Sequence, residues 1–127
     1  MTTLDAALAR VSQLVATLPA QPFVNGAFQA TMHGDARDNV SPRDGTLVNR
    51  IARCNAADVD NAVANAKATF DDGAWRRMAP RDRKRLMLHF ASMIEARAED
   101  FALLESIDTG KPISATRAFD VPQAINT

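Results

Sequence analysis

The sequence predicts a mainly helical piece with a small antiparallel β-hairpin region, incomplete as a free-standing unit. Three observations carry that reading. Apolar residues recur at three- and four-residue spacing near both ends of the chain, the mark of amphipathic helices. Between those stretches, Asn25-Gly26 stands between apolar pairs, a tight-turn signal. The third is composition: 46% of the 127 residues are hydrophobic, but 24 of these are alanine. Leu, Ile, Val and Phe together number 28, about 22%, close to the roughly 20% below which chains tend not to fold. Alanine removes little area from water at about 25 cal/mol per Å². A core built this way is expected to lean on neighbours.

The elements follow in order. Residues 1–21 form a leading helix: Leu4, Leu8, Val11, Leu14, Val15 and Leu18 share a face, and Pro19 and Pro22 stop it. Residues 22–54 form the small β region. Phe23-Val24-Asn25-Gly26-Ala27-Phe28 reads as a hairpin, because Asn-Gly tolerates the positive φ of a two-residue turn. Ala30 to Asn39 is polar and partly extended. Ser41-Pro42-Arg43-Asp44-Gly45 is a second turn, and Leu47, Val48, Ile51 and Ala52 form a strand ending near Cys54. Residues 55–127 are helical. Asn55 is the N-cap of a helix with Val59, Ala62, Val63, Ala66 and Phe70 on one face, ended by Asp71-Asp72-Gly73. A longer helix starts at Pro80 and carries Leu86, Phe90, Met93, Ile94, Phe101, Leu104 and Ile107 to a stop at Gly110 and Pro112. A last helix is expected to begin around Asp120-Val121-Pro122, too close to Thr127 to nucleate alone.

Charge and cysteine usage narrow the function classes. Fifteen basic and fifteen acidic residues cancel, which argues against a generally basic nucleic-acid binder. One cysteine excludes an internal disulfide framework and a multi-cysteine zinc site, and suits a reducing, cytoplasmic setting. The first helix lacks the basic and apolar regions of a signal peptide, no window reaches the roughly 18 apolar residues of a membrane span, and no membrane partner is expected.

Few residues suggest chemistry. Cys54 is the one thiol, with Arg53 beside it but no base placed by any pattern, so a small buried or half-buried side chain at a strand end is the stronger reading. His33, in a loop, and His89, on the long helix, belong to no ligand motif. Gly26, Gly34, Gly45, Gly73 and Gly110 are scattered, so neither a dinucleotide fingerprint nor a P-loop is present.

Arg76, Arg77, Arg81, Arg83, Lys84 and Arg85 put six basic residues in ten positions beside Trp75. A stand-alone helical binding module using this patch, Arg76–Arg85, is the alternative functional reading; a solvated helix start is the simpler one. Cations at the start of the long helix and Glu95, Glu99, Asp100, Glu105 and Asp108 toward its end oppose the macrodipole. Both ends should therefore meet opposite charges elsewhere, with Asp71 and Asp72 as candidates for the basic end.

The order of these pieces resembles the amino terminus of the aldehyde dehydrogenase family. The resemblance runs over about residues 22–127. It rests on Phe23-Val24-Asn25-Gly26, Asn39-Val40-Ser41-Pro42 with Gly45, Ala57-Asp58-Val59-Asp60-Asn61-Ala62-Val63, and Phe70 with Trp75. Arg83-Lys84-Arg85-Leu86 then leads to Leu104-Glu105-Ser106-Ile107-Asp108-Thr109-Gly110-Lys111-Pro112, whose DTGKP stretch is the most specific, and Asp120-Val121-Pro122 follows. The spacing and Asp72-Gly73-Ala74-Trp75 are closest to members acting on γ-aminobutyraldehyde derivatives or betaine-type aldehydes.

The resemblance implies an α/β fold of which this chain is the start of the Rossmann-like coenzyme-binding domain. It implies an oxidoreductase that oxidises a small aldehyde to a carboxylic acid with NAD or NADP, and a homo-oligomer. In the family a cysteine forms a thiohemiacetal, hydride leaves to the coenzyme, and the thioester is hydrolysed with a glutamate as base. An asparagine and a backbone N–H stabilise the oxyanion. All of these, and the glycine-containing cofactor loop, lie beyond Thr127 in the family's order, so the chain by itself is expected to be inactive. Cys54 matches no catalytic position, and Lys111 is in a structural turn rather than at the cofactor lysine. The resemblance also implies one metal site, a sodium or potassium ion held by the Val40 carbonyl and the Asp108 carboxylate. Asn39 stands where a threonine often precedes that valine. Asp108 capping local N–H groups, or pairing with a base, is the competing reading.

Overall fold

The computed structural model describes residues 3–127. Helix α1 (Thr3–Thr17) is followed by β1 (Phe23–Val24), β2 (Ala27–Phe28), β3 (Ala36–Val40) and β4 (Leu47–Ala52). Then come α2 (Ala56–Asp72), α3 (Ala74–Arg77), α4 (Pro80–Glu95) and α5 (Ala98–Thr109). A last helical run comprises α6 (Ile113–Ala115), a π-helical turn (Thr116–Asp120) and α7 (Val121–Asn126). The piece is mainly helical with two small antiparallel sheets, β1-β2 and β3-β4, as its sequence predicts.

The hairpin forms where expected. Asn25 and Gly26 have φ of 52° and 78°, the two positive values that a primed two-residue turn requires, and Phe23 stacks edge-on against Phe28. The polar stretch before Ser41 resolves into a strand: β3 pairs with β4 in the register Asp38↔Arg50 and Asn39↔Asn49, with an irregularity between Asn39 and Val40. Polar side chains hid it, because both β3 faces meet polar partners; Arg50 Nε lies 2.6 Å from Asp38 Oδ1.

Helix α2 opens on a full capping box. Asp58 N–H donates to Asn55 Oδ1 at 3.0 Å, and Asn55 N–H donates to Asp58 Oδ2 at 2.9 Å. The Asp58 carboxylate also accepts from the Met32 N–H at 3.0 Å, tying the loop after β2 to the helix start. These N–H donors, Asn55 first and Met32 second, hold the Asp58 carboxyl below its ordinary range. A carboxyl depressed by folding stabilises the fold above its unfolded pKa, and that contribution is lost as pH falls through the folded one. Asp58→Asn is therefore expected to destabilise at neutral pH while the gap to the parent narrows toward acid. Denaturant titrations across that range check this; a gap that widens on acidification contradicts it.

Two helix expectations are corrected. The long helix from Pro80 to Gly110 is broken: Ala96 and Arg97 form a turn, with the Arg97 N–H closing on the Ile94 carbonyl, and α5 restarts at Ala98. Neither glycine nor proline marks the break, so the periodic pattern ran through it. The final helix starts at Ile113, seven residues before Asp120. Pro122 lacks an N–H and its ring crowds the preceding turn. The chain widens there into a π turn, with Val121 N–H reaching the Thr116 carbonyl five residues back.

Breaking the helix removes the charge anomaly for Glu99 and Asp100, while Glu95 still ends α4 and Glu105 and Asp108 stay toward the end of α5. Glu99 and Asp100 lie in the first turn of α5, where the macrodipole favours anions. The expected opposite charges for these anions are present: Arg10 forks onto Asp100 with contacts of 2.7, 2.8 and 2.9 Å, and Arg117 pairs with Glu99. At the basic end the partner is Asp82 rather than the aspartates that end α2; Asp71 pairs with Lys67.

The core is small and centred on α5. Leu14, Ala102, Leu103 and Val121 are buried, with Ser41 and Thr116. Thr116 Oγ lies 3.0 Å from both the Ala102 and Ile113 carbonyls, so its one proton always has an acceptor. Elsewhere the apolar faces are open. None of the residues of α2, α3 or α4 is buried, and Val63, Phe70, Leu88 and Phe90 each keep more than half their surface. The chain exposes 9340 Å², against about 6600 Å² for a compact monomer of its mass.

Candidate functional site

The best-built polar junction lies where β3 meets the end of α5. Asn39 Nδ2 donates to Asp108 Oδ1 at 2.8 Å and to Asn49 Oδ1 at 3.2 Å. Asn49 is there because it is the cross-strand partner of Asn39. Asp108 is there because α5 runs one more residue before Gly110, in the left-handed region at φ 76°, turns the chain away. The Ser41–Gly45 turn abuts that exit: a Cβ on Gly110 would come within 3.1 Å of Pro42 Cγ. The close fit and the positive φ both select glycine.

A cavity of about 280 Å³ opens on this junction, lined by Val15, Leu18, Asn39, Val48, Asn49, Phe101, Leu104, Glu105 and Asp108. Helix α1 thus supplies apolar wall to a site whose polar groups come from β3, β4 and α5. Asn49 was not singled out in the sequence, and the strand register is the signal for it; Glu105, read there only as one of the anions of the long helix, lies one turn before Asp108.

A carboxylate and a backbone carbonyl are hard oxygen donors of the kind an alkali cation takes. The donor chemistry of Asp108 and Val40 therefore fits such an ion, but Asp108 Oδ1 already accepts from the Asn39 amide. Among the described residues no three His, Cys, Asp or Glu side chains group as a metal cluster.

The other candidates are separate. Cys54 is exposed, not buried or half-buried: β4 ends at Ala52, and the thiol lies on the connection to α2. It borders an apolar groove of about 450 Å³ between the hairpin and the open face of α2, with Val24, Met32, Val59 and Val63. Both histidines are exposed, His33 in a turn and His89 on α4. The five glycines all have positive φ and occupy separate turns and caps, so they build no phosphate cradle. In the basic stretch Arg83 donates to the carbonyls of Trp75 and Arg76, Arg76 stacks on Phe70 at 5.9 Å, and Arg85 lies 3.5 Å from Asp82. Those guanidinium groups brace the α3–α4 corner. Lys111 Nζ pairs with Asp120 at 2.9 Å, a structural contact that raises the lysine pKa. No described helix is long and apolar enough to cross a membrane.

Comparison with known proteins gives a consistent picture. The sequence model of the Aldehyde dehydrogenase family matches residues 29–127. An aminoacetaldehyde dehydrogenase of Pseudomonas aeruginosa is 38% identical over 110 residues, 87% of this chain and 22% of the relative. The structure of a γ-glutamyl-γ-aminobutyraldehyde dehydrogenase from Burkholderia cenocepacia superposes with a TM-score of 0.84 at 38% identity, over 94% of this chain and 24% of that one. The P. syringae indole-3-acetaldehyde dehydrogenase AldA, solved with NAD+ and IAA, gives 0.84 at 41% identity over 93% and 24%. The chain thus spans about a quarter or less of the length of these relatives.

Proposed function

We propose, since the chain belongs to the aldehyde dehydrogenase family, that it is the N-terminal part of a coenzyme-binding domain in an enzyme oxidising a small aldehyde to its acid. The family's fold is α/β and Rossmann-like, and this chain supplies its outer helices and small sheets. NAD or NADP would accept the hydride in the assembled enzyme. The substrate class favoured is a γ-aminobutyraldehyde derivative or a betaine-type aldehyde; the names of the aminoacetaldehyde and γ-glutamyl-γ-aminobutyraldehyde dehydrogenases above support the amino-aldehyde part of that reading. The enzyme is read as a cytoplasmic homo-oligomer.

The observation that carries this reading is the open apolar surface combined with the match. Faces of α2 and α4 that carry regular apolar stripes lie exposed, while 93% of the chain superposes on about a quarter of a larger, folded enzyme. Apolar stripes exist to be covered, and the remaining three quarters of such an enzyme provides cover. This chain's own residues brace rather than react: Arg10 and Arg117 pin α1 and the last helix onto α5, and Asp58 locks the loop after β2. At the junction of β3 and α5, the Val40 carbonyl and the Asp108 carboxylate are the pair through which a sodium or potassium ion would be held.

The purified chain, given NAD+ or NADP+ and aminoacetaldehyde, γ-aminobutyraldehyde or betaine aldehyde, is expected to form no NAD(P)H, and Cys54→Ser changes nothing. Aldehyde-dependent reduction that disappears in Cys54→Ser would overturn the assignment of Cys54 as a non-catalytic thiol.

A further inference from the structure

We propose that two copies of this chain pair through α2, lying antiparallel so that Lys67 of each meets Asp60 of the other. The pairing belongs to the chain as it stands and does not rest on the aldehyde-oxidising reading. Helix α2 carries no buried residue, and Val59, Val63 and Phe70 keep 53%, 61% and 67% of their surface. With Ala66, these residues recur at spacings of four, three and four, the a and d seam of a coiled coil. The seam runs beside the groove of about 450 Å³ whose other wall includes Val24 and Met32. A stable pair takes about 800 Å² from each copy. The chain's excess of about 2700 Å² over a compact monomer covers that, with the α4 face left over.

The charges beside the seam select its orientation. With Val59 as d, the e positions are Asp60 and Lys67, and the g positions are Ala62 and Thr69. Antiparallel helices set e against e and g against g, whereas parallel ones set e against g. In the antiparallel pair Val59 faces Phe70 of the other copy and Val63 faces Ala66, about a two-fold axis between Ala64 and Asn65. That register brings Lys67 opposite Asp60 twice, once on each side of the axis. A parallel pair would offer Lys67 only Ala62. Lys67 already holds Asp71 at 2.7 Å, but an ammonium has three protons and can serve a second carboxylate. Asp60 has no ion pair among the described residues and is available. Phe70 of each copy comes to the Val59 end of the other's groove, where Met32 is tied to Asp58.

The test is sedimentation equilibrium of the full chain at rising concentration. The average mass of the parent should climb from 13.8 kDa toward twice that value. Asp60→Lys and Lys67→Asp each turn two attractions into two repulsions and should weaken pairing roughly tenfold. Mixing those two variants, or combining both changes in one chain, should restore it. Phe70→Asp should stay monomeric, and Phe90→Asp on α4 should pair as the parent does. Circular dichroism verifies that each variant folds, as substitutions at exposed positions should allow. A parent that stays monomeric, or one that pairs equally well after Phe70→Asp, overturns the proposal. A dimer that Phe70→Asp breaks but neither charge reversal weakens overturns the antiparallel arrangement.

Discussion

Leu103→Ala is expected to lower the stability of the chain by about 2–5 kcal/mol, the range for emptying a buried leucine site. The effect should be at the upper end for structural reasons. Leu103 is one of four buried apolar residues among those described, and two of the others, Leu14 and Ala102, lie on the packed faces of α1 and α5. The residue also walls the contact of α5 with Leu4, Leu8 and Val11 of α1 and with Ile113. Truncating it therefore removes a contact shared by three elements. Because native stabilities run to about 5–15 kcal/mol, and this core is small for its length, the variant should unfold near room temperature. Leu88→Ala provides the contrast. Leu88 is 59% exposed on α4, and its loss should stay within about 0.5 kcal/mol. Chemical denaturation of the two variants side by side decides this, and equal losses would mean that the core is elsewhere.

The second large effect depends on context. Phe90 is 58% exposed at the middle of the α4 stripe, so Phe90→Asp should shift the stability of the chain by no more than about 0.5 kcal/mol. In an assembled enzyme that covers α4, the same change would bury an unpaired carboxylate. Breaking a buried site in that way costs about 3–5 kcal/mol, enough to lose soluble, folded enzyme. The comparison separates a face awaiting cover from one that is simply solvated. Equal tolerance of Phe90→Asp in both contexts would show that α4 stays open in the enzyme. Dye binding to exposed apolar surface should be strong in the chain and weak in the assembled form, which follows from the excess of about 2700 Å² over a compact monomer.

Local chemistry made much of this fold legible in the sequence. Asn25-Gly26 and Asn55 with Asp58 specify a turn and a cap through backbone preferences and side-chain bonds that need no distant partner. The break at Ala96-Arg97 was invisible for the opposite reason. No residue there forbids helix; the turn lets α4 reach α7 while α5 lies along α1, a demand of packing rather than of local sequence. Strand β3 was half-read because Ala36-Arg37-Asp38-Asn39 lacks alternation, its pairing being fixed by β4 across the sheet. At the site, Asp108 was found through its DTGKP context and Asn39 as a departure from a pattern. Their contact joins residues 69 positions apart, and periodicity carries no signal at that range. The buried Thr116 was missed because a threonine preceding Arg117 gives no sign that its hydroxyl reaches the Ala102 carbonyl, 14 positions back.

The central claim, that these residues are the opening part of an aldehyde-oxidising enzyme's coenzyme domain, is tested most directly by exchange. Residues 29–127 would replace the matching segment of the aminoacetaldehyde dehydrogenase of Pseudomonas aeruginosa, and aldehyde-dependent NAD(P)H formation would be followed for the chimera and for the chain alone. The account predicts turnover in the chimera, retained in its Cys54→Ser form, and none in the chain. A folded chimera that turns over no aldehyde, or a chain that oxidises aldehyde by itself, contradicts it.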